Sequence, residues 1–165
     1  YSEQEQLVTN NDVLRRLRYT FDYNDEKMMK IFAAADAEVS RAQISSWMKK
    51  EEDSDYANCS DVLLATFLNG LINTNRGKRE GDQPVPEKKI NNNIVFRKLK
   101  IALDLRDDDI LEILLLADLR ISKHELSAFF RRADHKHFRQ CKDQILRNFL
   151  HGVQIMYRPD DEDED

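Results

Sequence analysis

The sequence predicts an all-α protein, built from two tandem copies of a roughly four-helix unit that pack together, with a helix-turn-helix-like element in each copy. The first observation is an internal repeat, because residues 92–152 align without a gap on residues 10–70 when shifted by 82 positions. About eighteen of roughly sixty aligned positions are identical, where unrelated sequences would share about four. The second is that apolar residues recur at helical spacing in both copies, while no stretch alternates as a strand does.

Composition narrows the class of protein. The chain has 165 residues, of which 41% are apolar and 35% charged, which suits a helical core under a solvated surface. No apolar run approaches the ~18 residues that a membrane span needs, and the polar start does not resemble a secretory signal, so we expect no membrane partner. Two cysteines, one at the same place in each copy, do not make a disulfide scaffold, and we expect a cytoplasmic protein.

Charge is distributed unevenly along the chain. We divide it into a polar N-terminal extension (1–9), an acidic first repeat (10–72), a basic linker (73–90), a basic, histidine-rich second repeat (91–155) and an acidic tail (156–165). The aligned part of the first copy has 8 basic and 11 acidic residues, whereas that of the second has 12 basic and 9 acidic ones and all four histidines. This asymmetry makes the second copy the candidate for contact with an anionic partner.

The first two helices of each copy begin at polar residues. The asparagine pairs at 10–11 and 92–93 precede apolar stripes, and such a pair fits a helix N-cap better than a functional amide site. Asp25 and Asp107 open the second helix with acids in its first turn, where the helix dipole favours them.

The third helix carries the clearest start signal. Ser40 and Ser122 are each followed three residues later by Gln43 or Glu125, the pattern of a capping box in which two side chains satisfy two backbone N–H groups.

The fourth helix starts at about Ser60 and Lys142 and has the most apolar stripe of the first copy. Gly70 and Gly152 fall on that stripe, where a glycine costs about 1 kcal/mol relative to alanine. We interpret both as points of close approach to another backbone, and the fourth helices as the seam between the copies. Replacing either glycine with leucine is expected to disrupt packing.

Three sequence segments point to a known family. They are "INNNIVFRKLKIAL" at the start of the second copy, "FLNGLI" followed by "RG" at the end of the first, and "DHKHFRQCKDQILRNFLHG". Together they resemble the YehS-like family of bacterial proteins of unknown function, over nearly the whole chain. The resemblance implies one domain carried twice. It brings no established activity and no site residues.

The second and third helices have the spacing of a helix-turn-helix. The positions are Ala34, Val39, Ile44 and Trp47 in the first copy and Leu116, Ile121, Leu126 and Phe129 in the second. In a DNA-binding version the second helix of the motif would enter the major groove. The turn position that glycine usually fills is Glu38 or Arg120, and the same spacing also fits plain helix packing.

The candidate nucleic-acid-binding residues are the basic side chains near the third helix of the second copy. They are Lys123, His124, Arg131, Arg132, Lys136 and Arg139, within a wider basic face that includes Lys142 and Arg147. In the first copy, three acids in the aligned stretch 50–54 would repel phosphate. A solvated surface of mixed charge is the alternative interpretation of the same residues.

Metal binding and catalysis have weaker signals. His135, His137 and Cys141 are suitable zinc ligands, yet Cys59 occupies the position of Cys141 in the first copy without histidines, as a buried small hydrophobe would. The duplicated carboxylates Asp22/Asp104 and Asp36/Asp118 stand at predicted helix ends, where turn roles explain them. We therefore expect no metal, no cofactor and no enzymatic activity.

The sequence leads to a functional hypothesis with one alternative. The hypothesis is a non-enzymatic regulatory protein that binds nucleic acid through the basic second repeat, and the alternative is a protein–protein adaptor. The acidic tail at 160–165 would compete in cis with nucleic acid, or it would only solvate the chain. The oligomeric state does not follow from the sequence.

Overall fold

A computed structural model describes residues 7–159, which form eight α-helices and no strand. The helices are α1 (Asn10–Thr20), α2 (Asp25–Ala34), α3 (Arg41–Met48), α4 (Asp61–Arg76), α5 (Asn92–Ala102), α6 (Asp107–Leu116), α7 (Lys123–Phe129) and α8 (Asp143–Tyr157). The all-α fold of two four-helix copies is confirmed. Residues 1–6 and the acids at 160–165 lie outside the described residues, and so does the proposed action of the tail.

Two boundaries differ from those predicted. Helix α4 continues to Arg76, so residues 73–76 of the predicted linker are helical, and the helix ends where Gly77 takes a φ of 95°. Such a left-handed conformation favours glycine because it carries no Cβ. Helix α8 continues to Tyr157, so the first two residues of the predicted tail are helical.

The prediction that the paired asparagines cap the first helix of each copy was wrong. Thr9 is the N-cap of α1, and its side chain accepts a hydrogen bond from the backbone N–H of Asp12. Asn91 is the N-cap of α5 and accepts from Ile94. The capping oxygen comes from the residue before each pair, so the paired asparagines lie inside the first turn and are free to bond elsewhere.

Other local predictions are confirmed. Both capping boxes form, at Ser40 and at Ser122. Helices α2 and α6 begin at the predicted aspartates. The four duplicated aspartates at the ends of the first and second helices have φ between 53° and 61°, a region in which aspartate is tolerated in turns: Asp22, Asp36, Asp104 and Asp118.

The α2–α3 pair partly matches the predicted helix-turn-helix spacing. Val39, Ile44 and Trp47 are buried, and the left-handed turn residue is Asp36, so the absence of glycine at position 38 is no obstacle. In the second copy Leu116 is 43% exposed and does not face inward as predicted, because α6 turns its preceding residues Ile113 and Leu114 to the core. A role of either pair in reading nucleic acid stays a prediction.

The glycines mark close contacts within each copy. An added Cβ at Gly70 would lie 1.9 Å from the carbonyl oxygen of Ile31 in α2, and one at Gly152 would lie 2.1 Å from that of Ile113 in α6. Close backbone approach is confirmed, but its partner is the second helix of the same copy. The glycines do not mark the seam between the copies.

The seam consists of a fourth helix against the first helix of the other copy. Helix α4 packs on α5, and α8 packs on α1. The fourth helices lie at the seam as predicted, but they do not form it alone, because each packs one face on its own second helix and another on the first helix of the other copy. An apolar stripe predicts which face is buried but does not name the partner.

The two contacts between the copies, α1 on α8 and α5 on α4, are called the junctions. The same two sequence positions form a polar contact at both junctions, with the roles of the two copies exchanged. Arg16 on α1 bonds to His151 on α8, and at the equivalent positions Lys98 on α5 bonds to Asn69 on α4. The copies are thus related by an approximate two-fold exchange, as in an isologous interface.

The ion pairs at the helix ends follow the same exchange. Arg158 lies 3.9 Å from Asp22, and its counterpart Arg76 lies 2.9 Å from Asp104.

Within the described residues no helix is both long and apolar enough to cross a membrane.

Candidate nucleic-acid interface

The candidate site is built on the loop between α7 and α8, whose position is fixed by Asn93. The buried Asn93 amide donates to the carbonyl oxygens of Phe129 (3.0 Å) and Arg139 (2.8 Å). Its oxygen accepts from the backbone N–H of Cys141 at 2.9 Å. The amide therefore joins the end of α7 to the far end of the loop, and this holds the loop's basic side chains in one place.

The neighbouring amide fastens the start of α8. Asn92 donates to the carbonyl oxygen of Cys141 at 3.0 Å and to the carboxylate of Asp143 at 2.6 Å. Asn10 and Asn11 make the same set of bonds in the first copy. Both copies therefore hold this loop with the same backbone scaffold, although they differ in the side chains that it carries.

A cavity of about 530 Å³ lies between α7, this loop and the start of α8. We call it the basic cavity. Its charged and histidine side chains are His124, Glu125, Lys136, His137, Arg139 and Lys142, and its apolar wall includes Phe129, Phe138 and Ile145. The cations Lys136, Arg139 and Lys142 lie within seven consecutive residues of the loop and the N-cap of α8, and His124 of α7 faces the same cavity, which gives the second copy a concentrated positive surface.

The cations of the basic cavity are not neutralised by ion pairs. Among the described residues Lys136, Arg139 and Lys142 form no salt bridge, whereas Arg15, Arg18 and Arg41 in α1 and α3 each pair with an aspartate. The Glu125 carboxylate accepts from the backbone N–H of Ser122 at 3.1 Å, and this bond is the main cause that lowers its pKa. Three cations thus face one carboxylate, which leaves the cavity with a net positive charge.

The start of α8 adds a second electropositive feature. In the first copy, the Ser60 hydroxyl caps α4 by accepting from Leu63 at 3.2 Å. The equivalent residue of the second copy is Lys142, whose side chain forms no cap. The positive end of the α8 dipole therefore carries a cation instead of a capping oxygen, at the wall of the basic cavity.

The structure brings together three of the six predicted residues. His124, Lys136 and Arg139 line the basic cavity. Lys123 does not line the cavity and pairs with Asp108 of α6 at 3.5 Å. Two further residues that line the cavity, His137 and Lys142, were not among the six, although a basic residue at a helix start was a usable signal.

The paired arginines at the end of α7 do not enter the basic cavity. Arg132 pairs with Asp134 at 3.2 Å and lines a separate cavity of about 710 Å³ with Arg97. Arg131 is half-buried, and its Nε has no hydrogen-bond acceptor. Arg132 thus belongs to a neighbouring surface, and Arg131 does not line the basic cavity.

The potential metal ligands do not converge. Cys141 is buried and its thiol donates to the carbonyl oxygen of Lys142, whereas His135 and His137 are exposed. No group of three potential metal ligands occurs within residues 7–159. Burial is also the main cause that raises the pKa of Cys59 and Cys141 to about 12, which keeps both thiols protonated at neutral pH.

The two copies differ most clearly at the basic cavity. The first-copy residues equivalent to His124, Lys136, His137, Arg139 and Lys142 are Ala42, Ser54, Asp55, Ala57 and Ser60. All five basic or histidine positions are therefore neutral or acidic in the first copy, on the same scaffold.

A family model described as "Protein of unknown function (DUF1456)" matches residues 10–77 and 92–158. The chain belongs to this family. The two DUF1456 segments coincide with the two four-helix copies and leave out residues 78–91 between them, which confirms the tandem duplication and the predicted resemblance.

A relative of this DUF1456 protein is known from Escherichia coli K12. It is described as "Uncharacterized protein YehS" and is 45% identical over 147 residues, which is 88% of this chain and 94% of the relative. No solved structure matches this DUF1456 chain.

Proposed function

We propose that this protein is a non-enzymatic regulatory protein that binds nucleic acid phosphates through the basic cavity of its second copy. The observation that carries the proposal is the contrast between the copies: five basic or histidine side chains line the cavity, and their five equivalents in the first copy are neutral or acidic. On a solvated surface of mixed charge, the charge differences between the copies would be spread over the surface. Here five of them lie in one cavity.

The proposed contact is with the phosphate backbone. Lys136, Arg139 and Lys142 reach the cavity without carboxylate partners, so they can neutralise phosphates and release the counterions that surround them. Backbone contacts of this kind give affinity and position, and they carry no base sequence by themselves. We therefore expect the protein to bind nucleic acid with little sequence preference.

We propose a non-enzymatic protein because its two cysteine thiols are poor nucleophiles. Cys59 and Cys141 are buried, and their raised pKa values disfavour the reactive thiolate. We also place the protein in the cytoplasm, where cysteines persist as free thiols.

An adaptor function has one observation in its favour. A groove of about 540 Å³ on the first copy, between α2 and α3, has a partly apolar lining of Met29, Ala33, Ala37 and Val39. An amphipathic segment of a partner protein would fit such a groove. This candidate replaces the first if nucleic acid fails to bind.

A titration of the whole chain with labelled duplex DNA and single-stranded RNA at low salt tests the nucleic-acid proposal. We expect binding of the wild type, and a loss of roughly 10- to 100-fold in affinity when Lys136→Ser, Arg139→Ala and Lys142→Ser are combined. Each substitution installs the residue that the first copy has at that position. The expected loss follows from three phosphate contacts removed at once.

A matched control separates the cavity from net charge. The exposed lysines Lys27, Lys30 and Lys50 of the first copy can be changed together to serine, which removes the same three positive charges elsewhere. This control should bind nearly as well as the wild type. Equal losses in both triple variants would contradict a role of the cavity, and no binding by the wild type at low salt would favour the adaptor.

A further inference from the structure

A second cavity, of about 370 Å³, lies at the junction between the copies, where α1 meets α8. We call it the junction cavity. Its polar lining consists of Asp12, Arg15, Arg16, Arg147 and Gln154, and its apolar lining includes Leu7, Val8 and Leu150. It therefore exists only because the two copies are packed together, and three arginines meet in it.

The three arginines of the junction cavity carry more positive charge than the one carboxylate in its lining can balance. Arg15 pairs with Asp12 at 2.7 Å. Arg16 donates to the neutral amide oxygen of Gln154 at 3.0 Å, and its burial is the main cause that lowers its pKa. Within the described residues neither Arg16 nor Arg147 forms an ion pair, although the charge of Asp12 also acts on Arg16. Three arginines with one carboxylate leave the cavity a surplus of two positive charges.

Arg147 is also short of acceptors. Its Nη1 donates to Gln144 at 3.4 Å, and its Nη2 is buried with no hydrogen-bond partner. A buried guanidinium nitrogen without an acceptor is costly, so the position would be stabilised by an oxygen placed next to it.

At the other junction between the copies, where α4 meets α5, the equivalent cation has a carboxylate partner. Lys98, the equivalent of Arg16, bonds to Asn69 at 2.6 Å and pairs with the carboxylate of Glu87 at 3.1 Å. The equivalent of Arg147 is Ala65, so that junction has one cation fewer. At the α4–α5 junction the chain thus pairs this cation with a carboxylate of its own, whereas the one described carboxylate that lines the junction cavity, Asp12, pairs with Arg15.

We propose that the junction cavity binds the phosphate group of a small phosphorylated molecule, held by Arg15, Arg16 and Arg147. A phosphate monoester carries a charge of about −1.5 to −2 at neutral pH, which matches the surplus of two. Guanidinium groups bind phosphate oxygens through paired N–H donors. The cavity volume lies at the lower end of the range for small-molecule sites, which suits a phosphate with one sugar-sized group.

The position of the site gives the ligand a structural consequence. Arg15 and Arg16 belong to α1 of the first copy, and Arg147 belongs to α8 of the second. A bound phosphate would therefore bridge the copies and stabilise their docking. This site is separate from the basic cavity, and the inference does not rest on the proposed nucleic-acid function.

Thermal unfolding and calorimetric titration test the site on the full chain. The probes are inorganic phosphate and adenosine monophosphate, with chloride at equal ionic strength as the reference. At about ten times the Kd we expect the midpoint of the wild type to rise by roughly 3–6 °C. The rise should disappear in Arg147→Ala, which installs the first-copy residue, and in Arg147→Gln, which keeps hydrogen-bonding capacity but removes the charge. Lys136→Ser, in the basic cavity, should respond like the wild type.

Three results would overturn the site. The first is no response of the wild type at ~10 mM of either probe, a concentration well above useful small-molecule Kd values. The second is an equal response of folded Arg147→Gln and wild type, which would place binding elsewhere. The third is binding seen only after removal of residues 1–6, which would make the chain's own acids the occupant. A response to adenosine monophosphate but not to phosphate would support the proposal and extend the ligand beyond its phosphate.

Discussion

Replacing Gly70 with alanine should lower the free energy of unfolding by about 1–3 kcal/mol, although alanine is the better helix former. The added Cβ would lie 1.9 Å from the carbonyl oxygen of Ile31, a backbone atom that cannot rotate away. Helices α2 and α4 must therefore separate, which loosens contacts such as that between Phe32 and Phe67. Gly152→Ala should behave alike through Ile113. Urea denaturation of both variants measures the effect.

Whether Gly70→Ala lowers or raises the free energy of unfolding distinguishes a packed position from a solvent-facing one. In a solvent-facing helical position, glycine to alanine stabilises by about 1 kcal/mol. Thr74→Ala, at an exposed position of α4, is the matched control and should be neutral or slightly stabilising. Stabilisation by Gly70→Ala would mean that α2 and α4 do not approach as closely as described.

Asn11→Leu and Asn93→Leu should each destabilise the chain by at least about 3 kcal/mol, a large part of the 5–15 kcal/mol that holds an ordinary domain together. Each asparagine makes three hydrogen bonds to backbone groups, and leucine leaves all three groups without their partner. Each lost partner costs about 1–3 kcal/mol where the group is buried. Chemical denaturation gives the values, and Asn91→Ser, which keeps a capping oxygen, should be nearly neutral.

The two asparagines should differ in their effect on binding. Asn93 fixes the loop that carries Lys136 and Arg139, whereas Asn11 fixes the equivalent loop without cations. Asn93→Leu should therefore weaken nucleic-acid binding under conditions where the variant is still folded, and Asn11→Leu should not. Equal binding by both variants would mean that the loop need not be held in place.

Local features of this fold could be read from the sequence because their partners are close in the chain. The capping boxes at Ser40 and Ser122 join residues three positions apart, so a short pattern suffices to predict them. The internal repeat made the prediction stronger, since each signal occurs twice. Gly70 was also interpretable, because a glycine on an apolar helical stripe indicates close approach.

The role of Asn11 could not be read in the same way. Its acceptors and donor lie 36 to 48 residues away, at Trp47, Ala57 and Cys59. The same residue type in the same place is also a good N-cap, and only the three-dimensional arrangement distinguishes the two roles. The paired asparagines in both copies were the available signal, since one N-cap needs one asparagine.

The sequence predicted that the candidate site is basic, but it did not predict which basic residues share a cavity. The excess of basic residues in the second copy follows from counting, but the counts do not show that His124, Lys136 and Arg139 share a cavity while Lys123 is paired with Asp108. The junction cavity was not predictable at all, because Arg16 and Arg147 lie on different copies and meet only through the exchanged packing.

The salt dependence of nucleic-acid binding measures how many phosphates the basic cavity contacts. Each phosphate contact contributes about −0.9 to the slope of log K against log salt concentration on duplex DNA. Measured over a series of salt concentrations, the variant that combines Lys136→Ser, Arg139→Ala and Lys142→Ser should show a slope shallower than that of the wild type by roughly 2.7. The control lacking Lys27, Lys30 and Lys50 should keep the wild-type slope. Identical slopes for the cavity variant and the wild type would contradict phosphate binding by the basic cavity.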